Sequence, residues 1–303
     1  MRIRHMRYFL AVAEEQSFTR AAARIHIEPS PLSRAIAALE SEFDTRLLYR
    51  GKGKIRLTFA GEVFQEEARR MLAFMDGARV RVQSAAKGFH GVLRVGLADG
   101  LAQPRLSRLL ARCREEEPLT GIWIVEMTVA EMLKALDHDQ IDAGITIHAG
   151  LDKSLVREET LWTDRPVVAI PRNHPLLAHA KIPLREIIRQ PLILYHPESC
   201  TGGYDVIRRW FGETGRWSPV IAAQASGQES MLMFVAAGYG IGVGLRSQLA
   251  LYNHPEVVVR PVADDVPSTS VFIVTPDRPD RPLSNELNRF IDRARRIGRT
   301  AAH

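Results

Sequence analysis

Residues 28–43 read EPSPLSRAIAALESEF. Two prolines flank one serine, and an apolar pattern at helical spacing begins at once. Proline suits the first turn of a helix, where its missing N–H has no work to do. Ser30 suits the cap position before Pro31. Leu32, Ile36, Leu39 and Phe43 form an apolar stripe with a period near that of an α-helix. Ser33, Arg34, Ala37 and Glu40 lie largely off that stripe. The stretch therefore fixes where a short helix starts and sets Ser33 and Arg34 in its first turn, clear of the buried face. An ordinary capped helix with a solvated Arg34 would have the same spacing.

The flanks decide between these readings. Upstream, Met6, Phe9, Leu10 and Ala13 recur at i, i+3, i+4 and i+7, the mark of an amphipathic helix. Ser17 follows as an N-cap, and FTRAAARIHI continues as a second short helix that carries Thr19 and Arg20. Three short helices with tight turns suggest a helix-turn-helix, in which the N-terminal end of the motif's second helix enters the DNA major groove. Ser17, Thr19, Arg20, Pro29, Ser30, Pro31, Ser33 and Arg34 then become the candidate DNA contacts. Downstream, YRGKGKIRLTFAG (49–61) places Arg50, Lys52, Lys54 and Arg56 around two glycines. It reads as a β-hairpin wing, with Arg50, Lys52 and Lys54 on the phosphate backbone. A basic surface hairpin is the plainer alternative.

Charge agrees with this placement. Residues 1–60 hold nine Arg and two Lys against five Glu and one Asp, a net +5 of the chain's total +6. Such asymmetry suggests a polyanion-binding module joined to a near-neutral body. At 303 residues and 46% hydrophobic content the chain supports two or three folding units. No stretch approaches the roughly 20 apolar residues of a membrane helix. The opening run MRIRHMRYFLAVAEEQ meets charge too soon for a secretory signal. Two cysteines, Cys113 and Cys200, give no disulfide framework. The expectation is a soluble cytoplasmic protein with reduced thiols and no membrane partner.

From Gly61 to Gly88 there is no proline. Phe64, Ala68, Met71, Met75, Ala78, Val82 and Ala85 alternate in steps of four and three, a heptad seam. A helix of that length cannot bury such a seam by itself, so the expectation is a linker helix that pairs with a second copy. A symmetric dimer would set two DNA modules on an inverted-repeat operator.

The segments RHMRYFLAVAEEQSFTRAAARIHIEPSPLSRAIAALE (4–40) and RLLYRGKGKIRLTFAG (46–61) resemble the LysR-type transcriptional regulators, the first especially those of aromatic-compound catabolism. The resemblance covers the whole chain. IDAGITI (141–147), NHPL (173–176) and VAAGYGIGV (235–243) extend it. It implies a winged helix-turn-helix (1–60), a dimerising linker helix (61–88) and an α/β effector domain like a periplasmic binding protein (89–303). It also implies tetramers built as dimers of dimers, effector-dependent DNA bending, and RNA polymerase as a partner. Two glutamines that often contact DNA in the family are absent: Pro29 and Ala35 stand in their places. Base readout should therefore lean on Ser33, Arg34 and the wing.

The body after GFHG (88–91) alternates apolar strands with helical stretches. VLRVGL (92–97), IWIVEM (122–127), IDAGITI, PVVAI (166–170), PLILY (191–195), GIGVGL (240–245) and TSVFIVT (269–275) are the strand candidates. Stretches 104–116, 130–137, 203–213 and 228–237 read as helices. This is the pattern of one or two open α/β sheets. We expect one subdomain from 89–163 and 268–303 and another from 164–267. Ligands in such folds sit at the carboxyl ends of strands. That points to Asp99, Gly100 and Leu101 after the first strand, Thr128 after the second, and Ile147 and His148 after the third. In the second half it points to HPESCTGGY (196–204), with Thr201, Gly202, Gly203 and Tyr204, and to ASGQES (225–230), with Gln228. A small organic effector is the expected ligand, and no cofactor is implied. Many family members carry a serine or threonine near Gly100, whereas this chain has Asp99. An arginine near Ile147, found in regulators of aromatic acids, is missing. A buried Asp99 facing a carboxylate would be costly without a cation.

Rival readings are weaker. GYGIGVG (238–244) lacks the strand-turn-helix order of a dinucleotide loop. His174 and His179 have no third ligand at metal spacing. No catalytic constellation is recognisable, so an enzyme is not expected. Two alternatives stay open: a thiol-based redox sensor using Cys200, and a free solute-binding protein.

Overall fold

The computed structural model describes residues 2–50, 55–101, 103–152, 154–212, 219–263, 266–278, 280 and 282–300. Its contacts divide the chain into two compact units, residues 1–82 with 138–140, and residues 83–137 with 141–303.

The first unit opens with three helices, α1 (Ile3–Glu15), α2 (Phe18–Arg24) and α3 (Pro29–Glu42). They bury Met6, Phe9, Val12, Leu32, Ile36 and Leu39, while Leu10 and Ala13 are half-buried. Ser17 caps α2, its Oγ accepting from the Arg20 N–H at 3.4 Å. The start of α3 differs from the sequence expectation. Glu28 occupies the cap position, Pro29 is the first helical residue, and both Pro29 and Pro31 lie inside the first turn. The reason is general: the first four N–H groups of a helix have no intrahelical acceptor, so a proline at either position forfeits nothing. Phe43 is the residue after the helix and is exposed by 44%, not buried with the stripe; its ring still lies 5.2 Å from that of Phe64.

A hairpin of β1 (Leu48–Arg50) and β2 (Ile55–Leu57) follows, antiparallel, with Tyr49 opposite Arg56. Its loop, including Lys52 and Lys54, lies outside the described residues. Glu40, off the apolar stripe of α3, fixes the hairpin: its Oε1 accepts from the N–H groups of Leu47 and Leu48 at 3.0 and 3.1 Å. Helix α4 (Phe59–Ala86) starts two residues before the expected point. Thr58 sets that start, its Oγ1 accepting from the Gly61 N–H at 2.9 Å and donating to the Arg46 carbonyl at 2.7 Å. Gly61 is required here, because a Cβ would collide with the Leu47 carbonyl.

The heptad seam on α4 divides into two parts. Phe64 and Ala68, expected at a dimer interface, are only 7% and 0% exposed and belong to the core of the first unit. The Phe64 ring meets Phe9 edge-on at 4.9 Å. Four-and-three spacing cannot distinguish a residue that packs on its own domain from one that awaits a partner. Met71, Met75 and Val82 remain exposed, Val82 by 70%. Ala85 is exposed and Ala78 half-buried. Phe74, absent from the expected seam, joins this stripe at 56% exposure.

The second unit carries two five-stranded mixed sheets. Its elements are β3 (Gly91–Leu97), α5 (Pro104–Glu116), β4 (Thr120–Glu126), α6 (Val129–Asp137), β5 (Ala143–Thr146), β6 (Val156–Asp164), β7 (Pro166–Pro171), α7 (Leu184–Ile188), β8 (Leu192–Tyr195), α8 (Thr201–Gly212), β9 (Ile221–Ala225), α9 (Gln228–Ala236), β10 (Ile241–Leu245), α10 (Arg246–Leu249), β11 (Val257–Pro261), β12 (Thr269–Pro276) and α11 (Asn285–Thr300). One sheet runs β4-β3-β5-β12-β6 and the other β11-β7-β10-β8-β9. Strands β3, β4 and β5 are parallel, as are β8, β9 and β10. The chain thus crosses between sheets after β6 and returns at β12. Asp164, at the first crossing, accepts from the N–H groups of Arg165 and Ser247. The parallel strands place their carboxyl ends, and the loops that follow, where the sequence put its candidate ligands.

Phe64→Ala tests the reassignment of the upper seam. It should destabilise the first unit by about 3–5 kcal/mol in urea unfolding, as deletion of a buried aromatic does. An unchanged midpoint would return Phe64 to the seam.

Candidate functional site

The first unit leaves most of its described candidate contacts open to solvent. Pro29, Ser30, Pro31 and Arg34 are exposed at the start of α3, and Ser33 is half-exposed. Arg34 makes no hydrogen bond or ion pair to another described residue. Thr19 is exposed at the start of α2. Two expected contacts have other work. The Ser17 hydroxyl is held by its cap. The Arg20 guanidinium donates to the Glu15 carbonyl and faces the Glu15 carboxylate at 3.6 Å. Arg50 ends β1.

In the second unit the first parallel strand delivers Asp99 to the crevice. Its backbone is left-handed, with φ +58°, as is Gly100 at +59°. That turn aims the carboxylate across the gap between the sheets. Asp99 is 3% exposed, and three donors from both halves converge on it. Oδ1 accepts from the Gly202 N–H at 2.8 Å, in the first turn of α8. Oδ2 accepts from the Thr146 hydroxyl at 2.7 Å and the Ile147 N–H at 3.2 Å, at the end of β5. The Asp99 carbonyl accepts from the Gln248 and Gln228 amides at 3.2 and 3.4 Å. Glycine at 202 is a steric requirement: a Cβ there would stand 2.5 Å from Asp99 Oδ2 and 2.7 Å from the His148 nitrogen. Gly100 has a positive φ, and a Cβ on it would strike the Gln228 side chain.

A cavity of about 500 Å³ opens beside this turn. Of the expected ligand residues, Asp99, Gly100, Thr128 and Gln228 line it. Thr128 also caps α6, its Oγ1 and N–H both bonded to the Glu131 carboxylate, which draws the Glu131 carboxyl below its ordinary range. Gly202 and Ile147 reach the crevice only through the Asp99 carboxylate. His148 Nδ1 lies 2.9 Å from the Asp205 carboxylate, away from the cavity lining. Leu101 is only 1% exposed and packs in the hydrophobic core, which Tyr204 joins half-buried. A side chain after a strand end can turn inward as readily as toward the gap, and the sequence pattern does not separate the two. Gly203 packs against Cys200 and Tyr195, and Thr201 is half-buried as the first residue of α8. The sequence reading missed Glu126, Glu229, Met233 and Tyr252 in the lining. Glu229 sat within the ASGQES loop already singled out, and Glu126 within the second strand; Tyr252 follows α10 with no pattern to mark it.

Cys200 is buried, and burial followed by the Asp99 carboxylate pushes its thiol far above the ordinary range. Cys113 is buried and raised by the same cause. The thiolate is the reactive form, so this buried setting does not favour a redox-sensing Cys200.

Residues 3–62 match the bacterial regulatory helix-turn-helix protein family of LysR type, and residues 86–298 match the LysR substrate binding domain. The chain belongs to the LysR family. It is a DNA-binding transcriptional regulator with an effector-binding domain, not an enzyme. Among curated relatives, the regulator YnfL of Escherichia coli strain K12 is 32% identical over 278 residues, 90% of this chain and 92% of that one. BenM of Acinetobacter baylyi is 30% identical, covering 90% and 89%. Among solved structures, full-length BenM is 28% identical with a TM-score of 0.61, covering 99% of this chain and 97% of that one. CbnR, solved with its target DNA, has a TM-score of 0.74 at 23% identity, covering 98% and 100%, a likeness of fold. No described helix of the regulator is long and apolar enough to cross a membrane.

The burial of Cys200 sets a clear outcome for alkylation. Iodoacetamide at neutral pH should leave Cys200 unmodified in the folded regulator and modify it in denaturant, read by peptide mass spectrometry. Rapid labelling of Cys200 in the native protein would contradict its assignment as a buried, protonated thiol.

Proposed function

We propose that this regulator binds an inverted-repeat operator as a symmetric assembly, with the start of α3 in the major groove and the hairpin on the phosphates. The observation that carries the reading is the exposed Arg34, unpaired among the described residues, beside a proline-fixed helix start, in a module holding most of the chain's net charge. Base readout falls to Ser33 and Arg34. Thr19, Pro29, Ser30 and Pro31 fit backbone or edge contacts around them. Arg50, Lys52 and Lys54 supply cations for the hairpin. Arg20 and Ser17 serve the fold of α2 first, which makes them weaker candidates.

Dimerisation falls to the lower part of α4, through Met71, Phe74, Met75, Ala78, Val82 and Ala85. All of these but the half-buried Ala78 are exposed, and a second copy of the same helix would cover them. Two such dimers joined as a tetramer, an organic effector in the Asp99 crevice, and contact with RNA polymerase complete the reading. DNA regulation sets its place in the cytoplasm. Effector binding would change the relation of the two sheets and, through it, the bend imposed on DNA. Linkage is then reciprocal, so DNA and effector change each other's affinity by one factor.

Fluorescence anisotropy against selected operator DNA tests the reading. Arg34→Ala should cost about 1–3 kcal/mol and relax specificity at one position. Operator affinity equal to wild type would remove Arg34 from base readout. Val82→Glu with Met75→Glu should shift the mass in light scattering toward the monomer; an unchanged mass would remove α4 from the interface.

A further inference from the structure

Two features of the crevice bear on what it admits. At the Asp99 corner of the crevice, the donors that an organic acid would need are taken. The Gly202 and Ile147 N–H groups and the Thr146 hydroxyl all point at the chain's own Asp99 carboxylate. An acid entering here would find that anion seated already, and its burial leaves no room for exchange with water.

The rest of the lining has one sign. Asp99, Glu126, Glu131 and Glu229 line the cavity of about 500 Å³, and among the described residues no Lys, Arg or His does. Two of these carboxylates are satisfied within the chain, Asp99 by its three donors and Glu131 by Thr128. Glu126 and Glu229 are not: both are exposed and pair with no cation among the described residues. They stand on opposite sheets' elements, Glu126 ending β4 and Glu229 opening α9, yet both line the cavity with the half-buried Tyr252, whose phenol is pushed up by burial first and then by Glu229 and Glu126. Tyr252, Met127 and Met233 complete that wall with an aromatic face and two thioethers. Aromatic faces and carboxylates together are the surroundings that favour an ammonium group. The volume falls within the range of small-molecule sites.

We propose that the effector of this regulator is a small organic amine, held as its cation between Glu126, Glu229 and Tyr252, with organic acids excluded by the resident Asp99. This rests on the crevice being the effector site. The Asp99 turn closes the anion-binding corner and leaves the acidic wall as the recognition surface.

The experiment uses the full-length protein with phenethylamine and putrescine as probes, against benzoate and succinate as acids of similar size and benzyl alcohol as a neutral one. Thermal shift and calorimetry read binding, and operator anisotropy is read on the same samples. At least one amine should bind, the acids should not, and Glu229→Gln and Glu126→Gln should each weaken it by about fivefold, the upper end for a partly exposed ion pair. Binding of benzoate or succinate overturns the amine class but leaves a small-molecule regulator. So does benzyl alcohol binding as tightly as phenethylamine, or an amine affinity untouched by either Gln substitution. No amine binding up to about 10 mM, where a site of that affinity would still raise stability, also overturns it. Loss of operator binding in every sample would instead strike the reading beneath it.

Discussion

The Asp99 carboxylate is the group in which the two halves of the α/β unit meet. It leaves the end of β3 on a left-handed turn, accepts from β5 of its own sheet, and accepts from the first turn of α8 in the other. A helix N-terminus carries unsatisfied N–H groups and a partial positive charge, and a carboxylate is its natural complement. Here that complement is built into the chain. The glycine at 202 follows from it, because a side chain there would strike the Asp99 carboxylate itself. Burial first, and the Asp99 carboxylate second, also push the nearby Cys200 thiol up. One aspartate thereby joins the lobes and sets the chemistry of this corner of the crevice.

The DNA-binding unit depends on a smaller set of constraints of the same type. Glu40 holds the strand that leads into the hairpin, Thr58 starts the long helix, and Gly61 permits that helix to touch the Leu47 carbonyl. These polar and steric contacts orient elements that the apolar core alone would leave free to slide. Phe64 and Ala68 then lock the helix to the three-helix core. The part of α4 beyond them is left with an apolar stripe and no cover among the described residues of the first unit.

Much of this was legible in the sequence, and the limits have physical causes. Strands buried on both faces, such as IDAGITI and PVVAI, announced themselves as apolar runs. The polar strand β6, with Arg157, Glu158 and Glu159, did not, because one of its faces is solvated and ion-paired. Strands β9 and β11 were missed as short sheet edges. The final helix α11 was missed because arginines dominate it; its buried Leu287, Phe290, Ile291 and Ala294 are spaced as a helix, yet Arg293 is buried among them, paired with Glu116 and Glu117 at 2.7 Å. In the crevice, strand-end logic found Asp99, Gly100, Thr128 and Gln228. It did not find Tyr252, which arrives from a segment with no periodic signal, and it could not foresee that Asp99 would consume the donors of its neighbours.

Asp99 bridges the lobes through its charge, and amide hydrogen exchange reads that bridge directly. The Gly202 N–H lies in the first turn of α8 and has no intrahelical acceptor, so its protection rests on Asp99. In Asp99→Asn, exchange at Gly202 and Ile147 should quicken by about tenfold or more, as expected when a hydrogen bond to a charged group is lost, while the strands of both sheets stay protected. Unchanged exchange at both amides would show that the lobes are held together by something other than this carboxylate.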